Sequence, residues 1–421
     1  MGRLVGGALH TILSCDSLAK MPLIVVYNPV CGDRKGAQLT TGTILPLLNT
    51  HGFPPDKVAG TEYQGHAGIL LLSYISGLSS SERTEGITLV LVSGDGTFHE
   101  IVNTLYGARA EQDGPFPSLR IVLIPAGTAN ALHASFFPSS TPSDAEPKLL
   151  SSLLTFLSAT PRLLPLKLAH TTISAQEGTP AAPTTVLSAV VTSTSLHAAI
   201  LHDSEALRAS VPGIERFKMA AAQNETTWYR ARARLLEPVQ SYDVAAGAFV
   251  AQEEPCELLG PFAYFLSTVN VDRLEPQFRI MPLLRSLPPP RDAQTMDVIV
   301  VRPLRDPSLE GKDGEAERVK FKEHVWSAIG GAYRDGAHIH ARYNSADGQG
   351  DGVPMVEYFR TGGWEWIPVS VPEPLVLTDA DYCIRRKTMR KHISFVQTEQ
   401  YSTLRRAGKL LQTCWRGQRT I

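Results

Sequence analysis

Short apolar runs alternate with segments of helical spacing along the first 130 residues of the chain. Three of the apolar runs lead into glycine or asparagine near their ends, within 22–30, 87–96 and 119–130. A shorter strand is predicted at 56–62, and Pro46 is a candidate break within the first of the helical segments, which cover 35–51, 67–78 and 98–106. Strands that alternate with helices at this spacing are typical of a parallel α/β sheet.

The pattern changes after about residue 160, where strands follow one another with long polar or proline-rich connections. Strands are predicted at 184–195, 261–271, 296–304 and 363–371, with a helical interruption at 205–235. This order favours an antiparallel, β-sandwich-like C-terminal unit. We therefore divide the chain into an N-terminal extension, an α/β domain, a β-rich domain and a basic tail, at 1–20, 21–160, 161–384 and 385–421.

Composition excludes some classes of protein. Lys and Arg together number 40 against 41 Asp and Glu, which argues against a nucleic-acid binder that works through bulk positive charge. The five cysteines are scattered and never form a CxxC pair, so a reducing cytosol fits better than a disulfide framework. The apolar stretches 149–169 and 186–201 carry proline and charge or fall short of the roughly 20 residues of a spanning helix. Any membrane contact is expected to be peripheral.

The glycine-rich turn from Ser93 to Thr97 lies between a predicted strand and a predicted helix. Such a turn binds anions, because the backbone approaches phosphate closely and the helix dipole favours negative charge. Asp95 would repel a phosphate unless it acts through a metal ion or takes a proton from an acceptor hydroxyl. The alternative is a tight turn in which Asp95 caps the helix. Both interpretations stay open on these five residues.

Two further loops have the same arrangement, at 27–36 and 125–130. The first contains Lys35, which is able to meet a phosphate although the chain lacks the GxxxxGK[ST] loop. The ends of parallel strands meet at the carboxyl edge of the sheet, where α/β proteins bind ligands. We therefore expect the three loops to converge.

Four motifs in this order resemble the lipid-kinase superfamily, which contains diacylglycerol, ceramide and sphingosine kinases. They are NP-x-x-G-x-x-K-G, TEYQGHA, SGDGTFHEIVNTL and PAGTANALHAS, within residues 28–135. SGDG followed by HE-x-VN is most similar to sphingosine kinases, and the resemblance is closest to those of fungal type. A weaker likeness continues at 204–222. The resemblance implies a nucleotide-binding N-terminal domain and a lipid-binding β-rich C-terminal domain.

The resemblance also implies roles for individual residues. Asp95 would be the general base that accepts the proton of the lipid's primary hydroxyl. Arg208 and Arg216 match two arginines that reach the phosphates from the second domain. The full set of implied nucleotide-binding residues is Asn28, Pro29, Gly32, Lys35, Thr61, His66, Ser93, Gly94, Gly96, Thr97, Gly127, Thr128, Asn130, Arg208, Arg216 and Asp379.

Three parts of the family pattern are altered in this chain, and in one of them Gln64 replaces the Arg that often follows the TE motif. Asp203 is the acid nearest to the position at which sphingosine kinases carry an Asp for the sphingoid amine, and it becomes the lipid-binding candidate. The late D-G-E motif is best matched by Asp379-Ala380-Asp381, which makes Asp379 and Asp381 the implied Mg²⁺ ligands. An alternative match is Asp347-Gly348-Gln349.

The resulting expectation is an ATP- and Mg²⁺-dependent kinase that phosphorylates the primary hydroxyl of a sphingoid base. A diacylglycerol or ceramide kinase is the alternative acceptor assignment. NAD kinases and phosphofructokinases carry similar GGDG-type loops, and a nucleotide- or lipid-binding pseudokinase is the alternative of another class. The expected partners are a lipid alcohol and a membrane surface, with no nucleic acid, in a cytoplasmic protein that is bound peripherally. The basic tail is the candidate membrane contact, and a solvated, disordered tail is the alternative.

Overall fold

The computed structural model describes the following residues: 21–109, 116–138, 149–158, 163–176, 182–208, 210–211, 213–253, 255–344, 351–369 and, as backbone only, 391–400. It divides into two compact units between Leu166 and Lys167. The residues predicted as Mg²⁺ ligands, Asp379 and Asp381, lie outside the described residues, as does the alternative Asp347.

The first unit contains a four-stranded parallel sheet with the strand order β2–β1–β3–β4. Its strands are β1 (Leu23–Tyr27), β2 (Lys57–Gly60), β3 (Ile87–Ser93) and β4 (Leu119–Pro125). Its helices are α1 (Gly36–Leu39), α2 (Leu45–Thr50), α3 (His66–Gly77), α4 (Ser80–Glu85), α5 (Asp95–Ala108), α6 (Ala131–Phe136) and α7 (Ser151–Phe156). The predicted parallel α/β fold is confirmed.

The apolar runs become the central strands because helices cover both faces of the sheet. Every residue of β3 is buried, and so are the first four residues of β1. Val25 and Val92 pack with Ile44 and Leu48 in one apolar cluster of this unit. Between α1 and α2 the chain forms a wider π-helical turn at Thr40–Ile44. Pro46 then lies in the first turn of α2, where a missing backbone N–H is tolerated, so the helical segment continues past the predicted break.

The second unit is built on a ten-stranded sheet in which all neighbouring strands are antiparallel. The strand order is β6–β5–β16–β15–β12–β11–β7, and β8 pairs with β15, β9 and β10. The ten strands are β5 (Lys167–Gln176), β6 (Thr184–Ser188), β7 (Val191–Thr194), β8 (Ala231–Asp243), β9 (Ala248–Ala251), β10 (Cys256–Leu259), β11 (Tyr264–Thr268), β12 (Met296–Val301), β15 (Glu357–Pro368) and β16 (Lys391–Gln400). A separate pair is formed by β13 (Arg342–Asn344) and β14 (Asp351–Pro354).

One of the two apolar clusters that pack on this sheet contains large aromatic side chains. Phe262, Phe265, Trp364 and Trp366 are buried in one cluster, with edge-to-face and tilted ring contacts at centroid distances of 4.8–5.9 Å. The long strand β15 shifts register around Gly362. A Cβ at that position would lie 1.9 Å from the backbone oxygen of Glu237, so only glycine fits this close approach of β8. The predicted antiparallel β-rich C-terminal fold is confirmed.

Helices of the second unit differ from the prediction of one helical interruption at 205–235. The structure has α8 (Ser195–Ala206) and α9 (Glu215–Asn224), followed by the start of β8 at Ala231. The helical prediction is wrong for 231–235, because buried Ala231, Ala233 and Leu235 alternate there with more exposed arginines. A period of two places the apolar side chains on one face of a strand. The remaining helices are α10 (Leu283–Ser286) and α11 (Glu315–Ala332), which the sequence pattern did not predict.

Strand β16 lies inside the segment that was assigned to the basic tail from residue 385. Lys391–Gln400 pairs with β5 along its length, so this part of the segment belongs to the second sheet. The sequence alternates weakly between apolar and polar residues there, and its partner β5 is more than 200 residues earlier in the chain. In the part of the chain that the structure describes, we find no helix with the length and apolar character needed to cross a membrane.

Candidate active site

The three glycine-containing loops of the first unit pack backbone against backbone. Gly32 has a φ of +49°, and a Cβ on it would lie 2.3 Å from the backbone oxygen of Ala126. A Cβ on Gly127 would lie 2.5 Å from the Cα of Gly94. The loops after β1, β3 and β4 therefore meet, and each contact depends on the absence of a side chain. Exposed backbone of this kind is what a phosphate-binding loop requires.

Polar side chains join the first two loops at the strand ends. The Asn28 amide donates to Thr97 Oγ1 at 3.3 Å, and Ser93 Oγ donates to the same oxygen at 2.7 Å. Asn28 Oδ1 accepts the backbone N–H of Val30 at 3.0 Å, a short turn that directs the first loop away from β1. Three residues that the resemblance assigned to nucleotide binding, Asn28, Ser93 and Thr97, are thus brought together.

The third loop is closed by Asn130. This residue has a φ of +55°, a conformation that asparagine tolerates better than most residues. Its side chain accepts the N–H of Gly127 at 3.0 Å and donates to the oxygen of Gly127 at 2.7 Å. Both hydrogen bonds hold the loop in a defined shape, while the side chain of Thr128 at its tip is exposed.

Asp95 connects the second loop with the helix that follows the third loop. It is the first residue of α5, but the N-cap of that helix is Gly94 and no side chain caps it. The Asp95 carboxylate instead accepts the backbone N–H groups of Ala131 and Leu132, at 2.5 and 3.2 Å. Asp95 therefore caps the neighbouring helix α6 and not its own. It faces the third loop with no intervening layer of side chains.

The protonation of Asp95 is set by two opposing effects. Burial raises the pKa of its carboxyl group, and the hydrogen bonds from Ala131 and Leu132 oppose that rise. Each carboxylate oxygen takes one of the two N–H groups and has a second lone pair left. A carboxylate with a raised pKa and remaining acceptor capacity is suited to accept a proton.

The side chain of His133 shares a cavity with this carboxylate and was missed by the sequence reasoning. His133 lines the same small cavity as Ser93, Asp95 and Asn130. Its Nε2 atom has no hydrogen-bond partner among the described residues, and burial lowers its pKa to about 4. The ring is therefore neutral at neutral pH. The sequence feature that could have indicated this residue is the histidine within the motif PAGTANALHAS.

A fourth loop follows β2 at the same edge of the sheet. Thr61 is buried, and its N–H donates to the Tyr27 oxygen at 2.9 Å, which places it beside β1. His66 Nδ1 accepts the N–H of Glu62 at 3.1 Å. Glu100 on α5 accepts the N–H of Gly65 at 3.0 Å, a positioning contact that sequence reasoning also missed. The sequence feature that could have indicated Glu100 is the His-Glu pair after SGDGTF.

The other residues of the first unit that were predicted to bind the nucleotide are exposed or partly exposed. Lys35 is exposed at the start of α1, Gly96 is exposed in the first turn of α5, and Pro29 is half-buried. Lys35 is a mobile cation on a flexible stem, so an exposed position leaves it able to meet a phosphate.

Three candidates lie in the second unit, and the structure describes their contacts within that unit. Arg208 pairs with Glu205 at 3.0 Å, with both side chains exposed. The Arg216 guanidinium lies 4.7 Å from the centre of the Phe217 ring. Asp203 accepts hydrogen bonds from His202 at 2.9 Å and from Asn224 at 2.7 Å, and the His202 contact is the main cause of its lowered pKa. The assigned roles of these residues stay predictions.

The three loops present exposed backbone that fits a phosphate chain. Gly32, Gly96 and Thr128 are among the exposed residues of these loops. Within the described residues, no group of three or more His, Cys, Asp or Glu side chains is placed to hold a metal ion.

The first unit is similar in sequence to known kinases. Residues 22–155 match the family described as the diacylglycerol kinase catalytic domain. The chain is 30% identical over 133 residues to sphingoid long chain base kinase 5 of Saccharomyces cerevisiae and 32% identical over 131 residues to human sphingosine kinase 2. These alignments cover 32% and 30% of this chain, but only 18% of either relative.

A solved structure from Bacillus anthracis str. Sterne, whose name refers to diacylglycerol kinase, covers 90% of this chain and 94% of its own. The sequence identity is 15% and the TM-score is 0.44. The family match and the four motifs agree over the same part of the chain. Residues 22–155 therefore correspond to a diacylglycerol kinase catalytic domain, and this is the part of the chain in which the four motifs resemble the lipid-kinase superfamily.

Proposed function

We propose that this protein is an ATP-dependent lipid kinase that transfers the γ-phosphate of ATP to the primary hydroxyl of a sphingoid base. One observation carries the proposal. The Asp95 carboxylate is held by the N–H groups of Ala131 and Leu132 at the place where three glycine loops meet. A base beside a phosphate cradle is the arrangement that phosphoryl transfer to an alcohol requires.

The proposed chemistry assigns one step to Asp95. The carboxylate takes the proton of the lipid hydroxyl, and the hydroxyl oxygen forms a bond to the γ-phosphorus. The bond between that phosphorus and the bridging β–γ oxygen breaks, and ADP leaves with the electron pair. Catalysis of this kind depends mostly on positioning and on neutralising charge. The loop amides and the Lys35 ammonium are the groups of the first unit that would neutralise it.

Mg²⁺ is the expected metal ion of the proposed reaction. When bound, it would reduce the negative charge of the phosphates, which is its usual part in phosphoryl transfer. Mg²⁺ usually needs only one or two protein carboxylates beside the phosphates. We keep Asp379 and Asp381 as the candidate ligands, on the order of the family motifs alone.

The choice of a sphingoid base as the acceptor rests on the relatives and on Asp203. Both curated relatives are named for sphingoid or sphingosine substrates. Asp203 would pair with the sphingoid amine, although its carboxylate already accepts hydrogen bonds from His202 and Asn224. A positively charged amine would strengthen any contact with this carboxylate, since charged hydrogen bonds are the stronger ones.

A lipid panel tests this assignment. Purified protein is given labelled ATP, Mg²⁺ and, separately, sphingosine, dihydrosphingosine, diacylglycerol and ceramide in matched detergent micelles. We expect the highest kcat/KM with a sphingoid base. A preference for diacylglycerol or ceramide would contradict the acceptor assignment and keep the kinase reaction. ATP binding without any phosphorylated lipid would contradict the kinase reaction and favour a pseudokinase.

We also propose that the protein acts from the cytoplasm on a membrane surface. Residues 401–421 contain five basic side chains and no acidic one: Arg405, Arg406, Lys409, Arg416 and Arg419. Each basic residue near an anionic surface contributes up to about 1 kcal/mol. Since Lys391–Gln400 is a strand of the sheet, a test of this segment has to leave that strand intact.

Replacing the five basic residues of 401–421 with glutamine is expected to reduce binding to anionic vesicles. Co-sedimentation with phosphatidylserine-containing and with neutral vesicles measures the effect, at low and at physiological salt. Wild-type protein should pellet with the anionic vesicles only, and added salt should weaken the binding because exposed charges are screened. Equal pelleting of wild type and variant would contradict the tail's role.

A further inference from the structure

Two aromatic rings form a stacked pair in the loop after β2. The rings of Tyr63 and His66 lie 4.5 Å apart between centroids and are nearly parallel, with 4° between their planes. Tyr63 is 57% exposed although it belongs to a loop at the ligand-binding edge of the sheet. His66 covers one face of the Tyr63 ring, so the exposed area includes the other face.

The pair is held in place by hydrogen bonds. The backbone N–H of Glu62 donates to His66 Nδ1 at 3.1 Å, which fixes the orientation of the imidazole. Gly65 has a φ of +83°, and its N–H donates to Glu100 Oε2 at 3.0 Å. The loop is thereby tied to α3 and to α5. An exposed aromatic ring with this support is pre-oriented, and it loses little conformational freedom when another ring stacks on it.

The aromatic pair and the Asp95 carboxylate lie towards different ends of the sheet edge. Neighbouring strands lie about 4.8 Å apart, and the strand order places β2 at one end and β4 at the other. Tyr63 follows β2, whereas the carboxylate of Asp95 is bound to the N–H groups of Ala131 and Leu132, which follow β4. The loops after β1 and β3 lie between them.

We propose that Tyr63, supported by His66, is the platform on which the purine ring of the nucleotide stacks; this rests on the proposed function. If the γ-phosphate is transferred beside Asp95, the nucleotide lies along the edge with its phosphates over the central loops. The nucleoside end then points towards β2. A flat aromatic surface at that end fits a purine ring, and stacking on an aromatic side chain accepts any base.

The test separates binding of the base from binding of the phosphates. Affinities for ADP and for tripolyphosphate are measured by titration calorimetry in wild type, Tyr63→Ala and Tyr63→Phe. Base stacking is worth on the order of 1–3 kcal/mol, so Tyr63→Ala is expected to weaken ADP binding about 5- to 150-fold. Tripolyphosphate affinity should stay within about twofold, and Tyr63→Phe should retain ADP affinity because the ring remains. Ile69→Ala serves as the matched control, because Ile69 lies on the neighbouring helix α3 and is exposed to a similar degree.

Two results would overturn the proposal. Equal ADP affinity in Tyr63→Ala and wild type would show that no base stacks there. Equal losses for ADP and tripolyphosphate would show that Tyr63 only supports the loops. Neither readout depends on turnover. A wild-type protein that binds ADP through Tyr63 but phosphorylates no lipid would therefore contradict the proposed function and leave the stacking platform standing. A wild-type protein that binds no ADP would overturn both.

Discussion

Asp95→Asn is expected to lower kcat for lipid phosphorylation by about 10²- to 10⁴-fold, the usual contribution of a general base. Asparagine has nearly the same shape and keeps one oxygen to accept an N–H from Ala131 or Leu132, but it takes no proton at neutral pH. Affinity for ADP should change little, because the glycine loops that would bind the phosphates are unaltered. Steady-state kinetics with labelled ATP and calorimetry with ADP measure the two quantities.

The control addresses the second role of Asp95, which is to cap α6. Asp95→Ala removes both hydrogen bonds and should lower the melting temperature further than Asp95→Asn, since a lost cap costs about 1 kcal/mol. If capping were the only role, Asp95→Asn would keep most of the activity. A kcat for Asp95→Asn within twofold of wild type would contradict the assignment of Asp95 as the base.

The pH dependence of the rate is an independent test of Asp95 as the general base. A general base works only when it is ionised, so the rate falls as the pH drops through its pKa. Burial raises the pKa of Asp95, and the fall should therefore begin at a higher pH than for an exposed carboxyl group. In Asp95→Asn this acidic limb should be absent from the residual rate. An unchanged limb in the variant would assign it to another group.

The parallel sheet was predictable because its two central strands, β1 and β3, are buried on both faces. Such strands consist mostly of apolar residues, and β3 is buried at every position. The glycine and asparagine residues near the ends of these runs were predictable as loops, because both residue types favour turns. The convergence of those loops then follows from the geometry of parallel strands, whose carboxyl ends share one edge.

The partners of the site residues were not predictable, because they are distant in sequence. Asp95 binds N–H groups 36 and 37 residues further along the chain, and nothing near Asp95 indicates that its carboxylate caps α6. Glu100 contacts Gly65 across 35 residues, and Asp203 contacts Asn224 across 21. Such contacts depend on how the elements pack, which a local pattern does not contain.

Two strands of the second sheet were also not predictable from the local sequence. The arginine-rich segment from Ala231 to Leu235 suits a helix by residue type, since arginine and alanine are good helix formers. Its alternation of buried and exposed residues becomes meaningful only when β15 and β10 lie on either side of it. Strand β16 is a further case, because pairing with β5 is what orders it in the sheet.

Gly127→Ala is expected to lower kcat/KM for ATP by about 10²-fold, the effect of displacing a reacting group by about 1 Å. The added Cβ would lie 2.5 Å from the Cα of Gly94, and backbone atoms have to move to make room. Gly94→Ala should have a milder effect, because its Cβ would lie 3.0 Å from Gly127. Gly107→Ala on α5 meets nothing within 4 Å and is the matched control, expected to keep full activity. If Gly127→Ala melts like wild type and keeps its kcat/KM, the contact between the second and third loops does not shape the nucleotide site.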